Sequence, residues 1–299
     1  MIKFLTNGEI DRKKWDACIM NSRQKLVYSM SWYLDLVARQ WDGLVEDDYR
    51  SVMALPVRKK WGIKYVYQPV YSQQLGINAP YLPGSERIEE FIRAIPAEYR
   101  YIHYNFSSFH DFSKAAFPVS KRINYELRLN HSYQDIESGY SENTRRNINK
   151  SLPHIELSEK VSIPELIRLK RTNNPIKREP SFYEWMNFLM NGVISRGKGF
   201  LVGAYHQEEL VAASFFIFFA GRIYYLIPVS NEKGRNHRAM FAILDYVIGK
   251  YADTGLVLDF EGSGIRGIAR FFAGFGAKPT NYYMMVSNRL PWFLKLLKR

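Results

Sequence analysis

The order of elements predicted for the last hundred residues limits the possible folds more than any other feature of this 299-residue chain. Apolar patterning predicts a three-strand meander at residues 200–205, 211–219 and 223–229, with Ala220-Gly221-Arg222 as the tight turn before its third strand. A polar turn over 230–238 then feeds a helix at 239–252. A strand ending in Leu258-Asp259-Phe260-Glu261-Gly262, a second helix and a final strand at 282–287 complete the series. A base-rich turn with a glycine, placed where a strand feeds a helix, offers unpaired N–H groups and a positive dipole end to a phosphate. The turn therefore points to a phosphorylated donor, with Gly234, Arg235, Asn236 and Arg238 as its contacts.

The N-terminal part reads in the same order. Helices are predicted at 11–21 and from Ser31, the latter carrying Trp32, Leu36, Val37 and Trp41 at helical spacing. Strands at 52–57 and 65–71 form a hairpin, a helix covers 85–95, and strands follow at 101–106 and 124–129. Residues 101–106 and 256–260 hold equivalent places after a hairpin and a helix, as expected of a duplicated α/β unit. Between the halves, a basic helix is predicted over 141–151 with Ser141 as its cap, then helices at 163–172 and 181–192.

A net charge of +13 favours anionic partners: nucleotide phosphates, nucleic acid or an anionic membrane face. The single cysteine, Cys18, excludes an internal disulfide and reads as a small buried hydrophobe. The apolar run 210–220 is too short to span a bilayer, and the N-terminus shows no signal-peptide pattern, so a cytoplasmic protein is expected. The six histidines show no metal-ligand spacing, and no metal is expected. Residues 290–299 form a short basic amphipathic segment, able to touch an anionic membrane as a peripheral contact or to dock on the domain.

Three stretches resemble the GNAT acyltransferase superfamily, and within it the double-domain branch of Fem-type peptidyltransferases. They are Thr144-Arg145-Arg146 through Lys150, Tyr225-Leu226-Ile227-Pro228-Val229-Ser230 followed by Gly234, and Leu258-Asp259-Phe260-Glu261-Gly262 followed by Gly267 through Gly276. The resemblance implies a mixed α/β (α+β) chain of two GNAT-like domains, each a mostly antiparallel mixed sheet flanked by helices. Residues 1–140 would form a degenerate, acceptor-binding domain, and 141–299 the donor-binding, catalytic one. It also implies an acyl-CoA or aminoacyl-tRNA donor and a phosphorylated or lipid-linked small-molecule acceptor. The activity implied is transfer of the acyl group to an amine of a cell-envelope (peptidoglycan) precursor or amino sugar. The rival class is a non-catalytic nucleic-acid-binding module on the same scaffold.

In that frame the strand ending Ile227-Pro228-Val229 splays from the one ending Asp259-Phe260, and the donor lies in the gap. Pro228 has no N–H, so Val229 or Ser230 would polarise the donor carbonyl. Glu261 and Asp259 alternate onto one strand face and are the candidate bases. Asp259 serves equally well as a cap for the following turn, and Glu261 as a partner for Arg266. Arg146 and Lys150, four apart on one helix face, could hold an acceptor phosphate. Tyr71, Gln73 and Tyr225 could line an acceptor groove.

Overall fold

The computed structural model describes residues 1–114, 117–173, 176–262 and 264–290, which divide into two compact units. The first is Met1–Arg122 with the chain from Asn281 onward, and the second is Ile123–Thr280.

The first unit runs β1 (Ile2–Leu5), α1 (Arg12–Asn21), α2 (Ser31–Val37), β2 (Trp41–Glu46), β3 (Ser51–Lys60), β4 (Ile63–Val66), β5 (Ile77–Asn78), α3 (Ser85–Arg93) and β6 (Tyr99–Phe106). β1 to β4 pair antiparallel in order, β5 pairs with β3, and β6 joins β4 in parallel. A parallel neighbour requires a crossover, which α3 provides. Asp11 starts α1 by accepting the N–H groups of Lys13 and Lys14. Two expectations are corrected here. Trp41 does not continue the helix from Ser31: Ala38 is already extended, and Trp41 opens β2 with its ring 5.1 Å from that of Trp15. Residues 67–71 do not extend β4, which ends at Val66; Pro69 lacks a ladder donor.

Key polar groups in the core of this unit have hydrogen-bond partners. Asp42 accepts from the Tyr99 hydroxyl at 2.7 Å and the Asn7 N–H at 3.1 Å. His110 accepts the Ile77 N–H at 2.8 Å, and burial pushes its pKa down to about 4, so it is neutral and structural. Cys18 is buried as expected, and burial raises its thiol to about 11.

The second unit contains most of β7 (Val119–Leu129), then α4 (Tyr133–Ser138), α5 (Glu142–Ser151), β8 (Glu156–Ser158), α6 (Ile163–Asn173), α7 (Pro180–Ile194), β9 (Gly199–His206), β10 (Glu209–Phe219) and β11 (Arg222–Ser230). α8 (Glu232–Asn236), α9 (Ala239–Lys250), β12 (Leu256–Asp259) and α10 (Arg266–Gly274) follow. Its strands lie in the order β8-β9-β10-β11-β12-β7; β11 and β12 are parallel and the other pairs antiparallel. Strand, two helices, meander, helix and parallel strand thus recur in both units. Ser141 caps α5 as expected, accepting the Thr144 N–H. α5 fits closely against α10: a Cβ on Gly274 would lie 2.4 Å from Thr144 Oγ1, and the Ser141 N–H donates to the Gly274 carbonyl at 2.8 Å.

The last strand is β13 (Lys278–Asn288). From Tyr283 to Asn288 it pairs antiparallel with β6, from Phe106 back to Tyr101. β7, which follows β6 in sequence, pairs antiparallel with β12. The strand beside β6 thus comes from the other half of the sequence.

Candidate functional site

β11 and β12 pair only from Arg222–Val257 to Tyr224–Asp259. β12 stops there, while β11 continues to Ser230, and the β10–β11 ladder shifts register between Phe215 and Phe216 opposite Tyr225–Ile227. Such a bulge bends the strand and increases its twist. Among the described residues, no strand pairs with the β12-side edge of β11 beyond Tyr224. The expected gap between the two strands is thus an open β edge.

The hydrogen-bond phase of that edge follows from one bond. Asn231 donates its N–H to the Val211 carbonyl at 2.9 Å, which makes this a hydrogen-bonded pair. Antiparallel alternation then turns the N–H and C=O of Val229 towards Ala213 on β10, and those of Pro228 and Ser230 towards the open edge. Of Val229 and Ser230, Ser230 is the residue whose N–H faces the gap. The Arg235 guanidinium donates to the Ser230 carbonyl at 2.9 Å and so lies at the same edge.

The polar turn after β11 is mostly helical. Asn231 caps α8 by accepting the Gly234 N–H at 2.8 Å. Gly234 is needed for packing: a Cβ there would meet the Val211 carbonyl oxygen at 2.3 Å and Ser230 Oγ at 2.5 Å. Its N–H is already taken, so the anion-binding capacity of this segment lies elsewhere. Arg238 adopts a left-handed conformation, φ +58°, at the start of α9, with no side chain capping the helix. Arg235, Asn236 and Arg238 are exposed, next to the positive end of this twelve-residue helix.

Asp259 is the centre of a buried polar cluster and is 1% exposed. Its carboxylate accepts Asn124 Nδ2 at 2.9 Å and the Glu261 N–H at 2.9 Å, and pairs with Arg222 at 3.3 Å; Arg222 also pairs with Glu126 at 2.9 Å. Burial raises the Asp259 carboxyl to about 6 against the pull of Arg222, with the Glu126 charge adding to the rise. The capping alternative is thus realised in Asp259. Glu261 is half-buried, with φ +57°, just beyond the end of β12.

This shift has a definite sign. A carboxyl whose folded pKa lies above its unfolded value favours the folded state when protonated. The gain is fully present below about 4 and is lost as the pH rises through about 6. Urea unfolding at pH 7.5 and 4.5 should therefore show wild type gaining on the order of 2 kcal/mol relative to Asp259→Asn on acidification. Equal pH dependence of the two proteins would refute the assignment.

The remaining candidates scatter. Arg146 and Lys150 share the exposed side of α5, with Arg146 donating to Asn143 at 3.0 Å. Tyr225 is buried among Phe216, Phe260 and Phe272, and burial raises its hydroxyl pKa; it belongs to the core wall of the gap. Tyr71 and Gln73 belong to the first unit, where their carbonyls accept from Tyr33 and from Asn105. Residues 291–299 and Ser263 lie outside the described residues, and with them most of the segment considered for membrane contact.

Two features had no sequence signal. Lys170 of α6 donates its ammonium to the Pro228 carbonyl at 2.9 Å. His154, His206 and His237 converge, with centroids 4.1 Å apart for His206–His237 and 5.1 Å for His154–His237. Burial, then its two neighbours, hold His237 below the usual imidazole range. Among the described residues no group of side chains could hold a metal ion, and no helix is long and apolar enough to cross a membrane.

Residues 143–271 match the acetyltransferase (GNAT) domain family. The whole chain is similar to the crystal structure of FemX, with a TM-score of 0.66 at 10% identity over 97% of this chain and 98% of that one. It is also similar to a tandem GNAT protein from the clavulanic acid biosynthesis pathway, with a TM-score of 0.61 at 11% identity over 97% and 99%. A third likeness is to L-PGS from Bacillus licheniformis, with a TM-score of 0.57 at 12% identity over 96% and 94%. No curated protein matches the chain in sequence. The chain has the double-domain GNAT, Fem-like fold of these structures, and the stretch that matches the acetyltransferase (GNAT) domain family lies in its second unit.

Proposed function

We propose that this N-acyltransferase moves an acyl or aminoacyl group from a coenzyme A thioester or an aminoacyl-tRNA to an amine of a cell-envelope precursor or amino sugar. The open edge of β11 carries the reading: it runs into a base-rich turn and the uncapped start of α9. A donor lying along this edge hydrogen-bonds to the outward-facing Ser230 N–H, while Arg235, Asn236 and Arg238 take its phosphates.

The attacking amine forms the C–N bond as the carbonyl electrons move to oxygen. The C–S or C–O bond to the leaving group then breaks, and the amine proton passes through a base to that group. Glu261 suits this role better than Asp259, whose oxygens are engaged and sealed from solvent. The first unit, with Tyr71 and Gln73, supplies acceptor recognition in this reading, and Arg146 and Lys150 take an acceptor phosphate. The net charge of +13 keeps tRNA among the donors.

Calorimetric titration with acetyl-coenzyme A and, separately, with charged tRNA tests the proposal. Saturable micromolar binding of one of them, about −8 kcal/mol, is expected, weakened about tenfold by Arg235→Ala. Binding of neither would overturn it.

A further inference from the structure

A lysine ammonium carries three donors and a full charge, and a half-buried one normally finds a carboxylate. Lys170 does not. Among the described residues its ammonium meets one partner, the neutral carbonyl of Pro228 at 2.9 Å, and no salt bridge. Burial alone lowers its pKa, with no anion raising it. A cation held this way has donors left over and favours any negative charge that arrives beside it.

Its position is specific. The Pro228 carbonyl faces the open edge of β11, so the ammonium that grips it lies at that edge. α6 packs against β11 and β10 and delivers the side chain there. Along this edge Ser230 presents an N–H, while the preceding outward-facing position is a proline and presents none. A donor carbonyl lying beside Pro228 finds no backbone N–H, but it finds the two unused N–H bonds of Lys170.

We infer that Lys170 is a catalytic residue of the acyl transfer: its ammonium binds the carbonyl oxygen of the acyl donor beside Pro228 and stabilises the oxyanion formed there, replacing the donor that the proline removes. This rests on the reading of the β11 edge as the donor site. Lys170 donates hydrogen bonds throughout and neither gains nor loses a proton. The amine nitrogen bonds to the carbonyl carbon, the π pair moves to the oxygen facing Lys170, and on collapse the leaving group departs with its bonding pair. Charge-assisted donors aimed at developing charge in a desolvated setting act more strongly on the transition state than on the ground state.

The test compares acetyl-coenzyme A with S-ethyl-coenzyme A, which lacks the carbonyl, by calorimetry on wild type, Lys170→Met and Lys170→Arg. Wild type should bind the acetyl form more tightly, Lys170→Met should bind both forms alike with an unchanged or raised Tm, and Lys170→Arg should keep part of the preference. Turnover of acetyl-coenzyme A, followed by free thiol release, should fall roughly 10²- to 10³-fold in Lys170→Met at unchanged affinity for S-ethyl-coenzyme A. A preference retained by Lys170→Met, or absent from wild type that binds both, would overturn the inference alone. If wild type binds neither form, the thioester reading of the β11 edge falls, and the assignment of Lys170 falls with it.

Discussion

Arg222→Met should lower the thermal midpoint of the second unit by roughly 10 °C at pH 7.5, the largest loss expected from any single substitution at the candidate site. Arg222 joins two acids, Glu126 at 2.9 Å and Asp259 at 3.3 Å, and Asp259 is 1% exposed. Removing the guanidinium that pairs with both leaves two nearby carboxylates with no positive partner among the described residues. Breaking a buried pair in this way costs about 3–5 kcal/mol, because the orphaned charge cannot recover its hydration. At about 2–4 °C per kcal/mol for a unit of this size, the midpoint falls accordingly. Two controls separate this cause from lost packing. Adding Asp259→Asn and Glu126→Gln to Arg222→Met should return most of the loss, since no charge is then stranded. Lowering the pH towards 5 should narrow the gap between wild type and Arg222→Met, because Asp259, already raised to about 6, takes up a proton. A gap that is constant from pH 7.5 to 5 would show that the guanidinium acts through its bulk.

Gly234→Ala should combine a stability loss of about 2–3 kcal/mol with at least a tenfold loss of donor affinity. The added methyl would meet the Val211 carbonyl oxygen at 2.3 Å, and a backbone atom cannot swing aside as a side chain end can. The overlap is relieved only if α8 moves off β10, and overpacking of this kind costs roughly 1–3 kcal/mol or more. That movement carries Arg235 away from the Ser230 carbonyl and disturbs the Asn231 cap, the two contacts that fix the end of β11. Urea unfolding and calorimetry with acetyl-coenzyme A or charged tRNA read the two effects. Stability lost without affinity would detach the loop from donor binding.

The sequence carried the fold further than it carried the site. Strong periodicity marked β9 to β11, α5, α6 and α7, and turn chemistry at Ala220-Gly221 placed the meander within a residue or two. The register of Trp41 was misread because one helical repeat of apolar residues also fits an aromatic that swings into a strand and packs on Trp15. The short strands β1 and β8 lack the length for a pattern to show. At the site, the gap between β11 and β12 was inferred from family likeness, and Asp259 and Glu261 were named, but their different environments were not legible. Burial of one carboxylate beneath Arg222 depends on β7, more than 120 residues away in sequence, supplying Asn124 and Glu126. Lys170 and the meeting of the three histidines escaped for the same reason: their significance lies in which strand or helix faces them. Gly234 was noticed as a phosphate-loop glycine, and its packing role, the close approach of α8 to β10, was not legible.

The crossed strands bear on how the chain is made. During synthesis β6 leaves the ribosome with one side of its ladder complete, against β4, while the strand that occupies its other side, from Tyr283, lies some 177 residues later, 106 to 283. At about 5–20 residues per second, that edge stays bare for on the order of 10–30 s. An unpaired edge recruits other strands, including the same strand of a neighbouring nascent chain. The arrangement ties completion of the earlier half to a strand translated long after it, so any truncation before β13 leaves both an unfinished sheet and a sticky one.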